Sequence, residues 1–215
     1  MPLLHDNAVL PHDRALPGLP TLLNPAAVAE LFNRRRLVGQ VQHVAISYIK
    51  YKPGTSCLVG YRLACNGTTL DAYARALRRA DRLTTERGAM LICPERLLEL
   101  RLFPNDRRIV GLRKINHEQQ AALLQRLVPQ QNASWWHSPL ERLVYKPERR
   151  YVARLVVEGR PQATLKFYTP ACYAAARRSH MVTNGQMLRV PRLLGKRDRH
   201  AVVAYEWLEG QLAHA

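Results

Sequence analysis

From position 41 the chain begins to alternate. VQHVAISYIKY (41–51) sets β-branched and aromatic residues in a two-residue period, which predicts a strand. KPG turns the chain, and SCLVGYRLAC (56–65) predicts the partner strand. Asn66-Gly67 is a strong hairpin signal, so TTLDAYA (68–74) closes a small antiparallel meander. Upstream, residues 1–24 are Pro-rich and irregular. Asn24 is placed to cap a helix of about three turns that starts with Pro25 at its first position. RALRRADRLTTERG (75–88) predicts a charged helix ended by Gly88. LLELRLF (97–103) and RIVGLRKI (108–115) read as strands around the turn PNDR. NHEQQAALLQRLV (116–128) carries an apolar stripe at Ala121, Leu124, Leu127 and Val128 and predicts a helix. PQQNASWWHSP (129–139) breaks the pattern as a linker.

After the linker the earlier order returns. Strands are expected at 140–146, 150–157 and 162–168, then a helix over 170–184, then strands in RVPRLLG and HAVVAYEWL. The repetition shows residue by residue. Tyr51, Lys52 and Pro53 recur 94 positions on as Tyr145, Lys146 and Pro147. Thr69, Leu70 and Tyr73 recur at an offset of 95 as Thr164, Leu165 and Tyr168, which sets Asp71 against Lys166. Two copies are too few for a solenoid and predict two similar lobes. The expected organisation is an N-terminal irregular segment and helix (1–40), a degenerate first lobe or cap (41–128), the linker (129–139) and a second lobe (140–215).

Charge sharpens the picture. The 215 residues carry 33 Lys+Arg against 16 Asp+Glu, a net charge of +17. Such a field attracts polyanions. The cations are spread along the chain, so they predict non-specific polyanion binding more firmly than a dedicated nucleic-acid site. No run of about 18 apolar residues is present, so no membrane-spanning helix and no membrane partner are expected. The first 20 residues lack the pattern of a signal peptide. Cys57, Cys65, Cys93 and Cys172 form no C-x-x-C pair. That disfavours zinc ribbons and fits reduced thiols in a cytoplasmic protein.

One lysine stands out. ATLKFY sets Lys166 between Leu165 and Phe167 in an apolar strand, where its ammonium costs desolvation unless an anion meets it. Downstream come VPRLLG and HAVVAYEWLEGQ. These motifs, with the hairpin YKPERRYVARL, resemble the aminoglycoside phosphotransferase family, including choline-kinase-like and maltokinase-like members of protein-kinase-like fold. The resemblance covers roughly residues 140–212, and the hinge motif is its most specific part. It implies an α+β fold of two tandem kinase-like N-lobes, antiparallel sheets with packed helices, the C-lobe being absent.

By that resemblance Lys166 would bind the phosphates of ATP. Backbone groups of Glu206 and Leu208 would hydrogen-bond the adenine edge, with Trp207 between them turned to the lobe interior. Arg149, Arg150 and Tyr151 would lie in the hairpin near the phosphates. The implied reaction is transfer of the ATP γ-phosphoryl group, with Mg²⁺, to a hydroxyl of a small-molecule acceptor. Two departures from the family pattern are visible. No Asp or Glu lies between Glu158 and Asp198, so the helix after Lys166 offers it no glutamate. The His-x-Asp loop and the metal-binding Asp would belong to the missing C-lobe, so this chain alone is expected to be inactive. His12-Asp13-Arg14 reads as an N-terminal turn, in the wrong place for a catalytic loop. The alternative functions are a basic nucleic-acid-binding module, with SWWH and the tyrosines as stacking groups, and a non-catalytic pseudokinase-like scaffold.

Overall fold

A computed structural model describes residues 13–78, 90–93, 97–116, 118–179 and 190–210. The chain divides into two compact units, Met1–Asn105 and Asp106–Ala215. Each is α+β, with one five-stranded antiparallel sheet.

The first unit opens with α1 (Leu19–Leu23) and α2 (Pro25–Arg35). The Asn24 side chain accepts from the N–H groups of Ala26 and Ala27, as its capping role predicts. Strands β1 (Val41–Lys52), β2 (Ser56–Cys65) and β3 (Thr68–Leu77) form the expected meander. Strands β4 (Met90–Cys93) and β5 (Leu98–Leu102) complete the sheet in the order β1-β2-β3-β5-β4. Both helices contribute to one core: Leu19, Leu22, Val28 and Phe32 join Val59, Tyr61, Leu63, Ala72, Ala74 and Leu100. The Asn33 side chain ties α2 to β1, accepting from the Val41 N–H and donating to the Val41 carbonyl. The helix expected at 75–88 falls mostly outside the described residues; its first three residues belong to β3.

The second unit repeats this plan. A 3-10 turn (Val110–Lys114), α3 (Gln120–Leu127) and α4 (Ala133–His137) precede β6 (Leu140–Lys146), β7 (Arg150–Val157) and β8 (Arg160–Tyr168). Helix α5 (Pro170–Ser179) leads to β9 (Leu193–Arg197) and β10 (Val202–Glu206). The sheet order, β6-β7-β8-β10-β9, is that of the first unit. Here the structure departs from the sequence reading. Residues 110–114 form the 3-10 turn rather than a strand, 133–137 are helical rather than linker, and 106–139 belong to the second unit. The turn is set by Asp106, whose Oδ1 accepts from the N–H groups of Arg108 and Ile109 and curls the chain away from an extended path.

The two units share a latch as well as a topology. In the second, Oδ2 of Asp106 accepts from the Tyr145 hydroxyl (2.9 Å) and the Glu148 N–H (2.9 Å). In the first, Oδ2 of Asp13 accepts from the Tyr51 hydroxyl (2.9 Å) and the Gly54 N–H (2.7 Å). Each aspartate fastens the segment before the helices to the first hairpin turn. Each turn needs one residue in the left-handed region: Gly54 at φ 63° and Glu148 at φ 55°. Both aspartates open the motif D-R-x-x-x-G-L, and the paired apolar positions Leu16 and Ile109, Leu19 and Leu112 are fully buried.

The Asp106 latch is fully buried, whereas Asp13 is part-exposed. Replacing Asp106 with Ala strands a buried hydroxyl and three N–H groups, so Asp106→Ala should cost about 2–4 kcal/mol. Asp13→Ala should cost less. Urea unfolding of both variants tests this, and equal losses would deny the difference in burial its role.

Candidate functional site

The second sheet has two unlike faces. On one, Tyr151, Ala153, Leu155, Leu165, Phe167 and Val202 are buried. The close approach of Gly111 to Phe167 shows the 3-10 turn packed on this face. On the other face Val152, Thr164, Lys166 and Tyr168 are only half-buried. Cross-strand pairing fixes the phase: Lys166 stands opposite Val152 on β7 and Val203 on β10. Helix α5 covers this second face in part, its Tyr173 packing with Val203, Tyr205 and Tyr168.

Lys166 therefore sits where the sequence placed it, on the third strand of its sheet and on the same face as the following helix. Its Nζ lies 5.1 Å from the centroid of the Tyr205 ring. Among the described residues it has no ion-pair partner. Burial first, and the Arg150 guanidinium second, hold its pKa below the ordinary lysine value. Burial, with Tyr168 beside it, pushes Tyr205 up to about 12, so the hydroxyl keeps its proton at neutral pH. Toward Lys166, α5 presents aromatic packing. Its polar groups go elsewhere: the Tyr173 hydroxyl donates to Asp198 (2.5 Å), and Arg177 pairs with the same carboxylate (3.3 Å).

The other expected site residues divide. Arg150 is exposed and lies across the ladder from Tyr168, on the Lys166 side of the strand end. Arg149 is exposed in the turn, its N–H donating to the Lys146 carbonyl. Tyr151 faces the other way. It pairs with Phe167 and packs edge-on against Tyr145 and Phe167 in the buried layer, so it supports the hairpin. In the segment expected to form a hinge, the Glu206 N–H donates to the Arg192 carbonyl and the Trp207 N–H to the Gln162 carbonyl. Those two donors are spent within the fold. The Glu206 carboxylate lies 3.6 Å from the Arg192 guanidinium, and Trp207 and Leu208 are half-buried.

The counterpart of Lys166 in the first unit is Arg75, not Asp71. Counting from the shared hairpin turn, Leu58 takes the place of Val152; Leu58 pairs with Arg75 as Val152 pairs with Lys166. The sequence offset misplaced this position because the β2–β3 ladder runs ten pairs, whereas the β7–β8 ladder is shorter and carries a bulge at Leu155/Val156. Arg75 stands opposite Glu99, and Glu99 pairs with Arg101 at 2.7 Å, both almost fully buried. The first unit has thus closed with its own ions the face that the second leaves half open.

Sequence reasoning missed both latch aspartates and Arg75. The signal for the latch was present: D-R-x-x-x-G-L recurs at an offset of 93, beside the Tyr-Lys-Pro offset of 94. Among the described residues no group of three or more His, Cys, Asp or Glu side chains is placed to hold a metal ion, and no helix is long and apolar enough to cross a membrane. Set against protein-family models, curated proteins and solved structures, the chain matches none.

Because the folded chain holds the Lys166 proton more weakly than the unfolded chain does, this group weakens the fold at neutral pH. The penalty fades as pH rises through the lowered native value toward the ordinary 10.5. Arg150→Gln should raise the Lys166 pKa, read by NMR titration of the side-chain nitrogen. No movement would mean that Arg150 does not reach the site.

Proposed function

We propose that the second unit is a kinase-like N-lobe that holds the phosphates of ATP, as the nucleotide-binding portion of a small-molecule phosphotransferase. The observation that carries this reading is Lys166: a half-buried cation that has no carboxylate partner among the described residues, on the third strand of its sheet. Kinase N-lobes place their phosphate-binding lysine on the third strand and follow it with a helix. Here α5 likewise follows β8 and packs on the lysine's face. The strand β10 then runs out at Glu206 into the Trp207–Leu208 segment, where a hinge would lie.

The chain's own groups divide the work of binding. Lys166, fixed over Tyr205, supplies a positioned charge whose desolvation cost a phosphate would offset. Arg150 and Arg149 at the β6–β7 turn add positive field at the strand end. With the Glu206 and Trp207 N–H groups already bonded, adenine recognition would fall to the Glu206 carbonyl and the Leu208 N–H. ATP would bring the transferable γ-phosphoryl group. Mg²⁺ finds no ligand cluster among the described residues, and none of them is given a catalytic role. The first unit does not share the site, since on the matching face Glu99 is paired with Arg101 and stands across the ladder from Arg75.

Millimolar Mg-ATP should raise the melting temperature by about 2–5 °C. Lys166→Ala should remove that shift, and Arg150→Gln should reduce it. An unchanged melting temperature in the wild-type protein, or an equal shift in Lys166→Ala, would sink the proposal.

A further inference from the structure

A second cationic feature lies on the opposite face of the same sheet. Arg197 pairs with Val202, which pairs with Phe167, so it belongs to the face away from Lys166. There a concave pocket of about 430 Å³ opens between α3 and the β9–β10 connection. Lys114 and Arg126 line one wall; Arg197, Arg199 and His200 line the other, with Gln119 beside them. All these residues lie within the second unit.

Two close backbone approaches hold the walls together. A Cβ on Gly111 would lie 2.2 Å from the His200 carbonyl oxygen, and one on Gly195 would lie 1.8 Å from the Leu127 carbonyl oxygen. Only glycine permits either contact. The fold therefore presses a turn ending in Lys114 and a helix carrying Arg126 against a strand and turn carrying Arg197 and Arg199. Like charges brought together in this way repel. Among the described residues no acid lines the pocket, and none of the four cations has an ion-pair partner. Asp198, between Arg197 and Arg199, is engaged by Tyr173 and Arg177 of α5. The charge crowding is felt at His200, whose pKa is lowered by burial and then by Lys114, Arg199, Arg126 and Arg197.

We propose that this pocket binds a small anion bearing two or more phosphate groups, bridged between Arg126 on one wall and Arg197 and Arg199 on the other. Guanidinium groups suit phosphate because their planar donors reach two oxygens at once. The concave shape favours a compact ligand over an extended backbone. Among the described residues the lining has no Trp, Tyr or Phe on which bases could stack, which sets a polynucleotide second.

The test is calorimetric titration of the full chain with inorganic tripolyphosphate at about 150 mM salt, where surface attraction is largely screened. Saturable binding to one site is expected in the wild-type protein. Arg197→Gln/Arg199→Gln should weaken it at least ten-fold. Arg126→Gln, on the facing wall, should weaken it too. Lys166→Ala should leave it unchanged, which separates this pocket from the proposed ATP site. The proposal is overturned by absence of saturable binding in the wild-type protein. It is equally overturned if both arginine variants bind as the wild type does, or if Lys166→Ala alone abolishes binding. A short mixed-sequence single-stranded RNA that binds more tightly and displaces tripolyphosphate would reassign the pocket to nucleic acid.

Discussion

A single carboxylate organises each half of this protein. Oδ2 of Asp106 gathers a tyrosine hydroxyl and a turn N–H from the first hairpin, while Oδ1 curls the segment that leads into the helices. Such a group is costly to bury unless its lone pairs are filled, and here four donors fill them. The consequence is geometric. The hairpin that carries Arg149 and Arg150 is fastened to the turn that carries Lys114, through one buried residue. Both faces of the second sheet take their furniture from that anchor.

The same anchor in the first unit supports a different outcome. Asp13 holds an equivalent turn, and the strand order is identical. Yet the position of Lys166 is taken by Arg75, opposite Glu99, with Arg101 completing a buried pair. A buried pair of this kind is weak evidence for stability, because desolvation offsets much of the attraction. Its effect on chemistry is clearer: a face that already carries a buried glutamate beside its cations has less to offer an incoming phosphate. On the proposed reading, the two units differ in what neutralises the cation: the fold in the first, a bound phosphate in the second.

Much of this frame was legible in the sequence. Period-two alternation located β1, β2, β6 and β7 closely, because their inward positions are apolar and the turns that bound them carry Pro or Gly. The Tyr-Lys-Pro repeat exposed the duplication. What escaped was set by long-range contacts. Residues 108–115 alternate like a strand, but Asp106 caps them into a 3-10 turn, and that aspartate is itself held by Tyr145 and Glu148, 39 and 42 residues on. Offset counting placed Asp71 against Lys166 because ladder length and a bulge, not spacing alone, fix which residues oppose one another. The cationic pocket was invisible for the same reason: Lys114, Arg126 and Arg199 are far apart in the chain and meet only through Gly111 and Gly195. Lys166 was the exception. A lone lysine in an apolar strand is a local signal of a non-local demand.

The most direct test of that demand is chemical. An acyl-phosphate derivative of ATP delivers its acyl group to a lysine amine lying beside the bound phosphates. Mass spectrometry after brief exposure should find Lys166 modified ahead of the other five lysines, and excess ATP should protect it. Labelling spread over Lys114, Lys146 and Lys196, with Lys166 untouched or unprotected, would contradict the account.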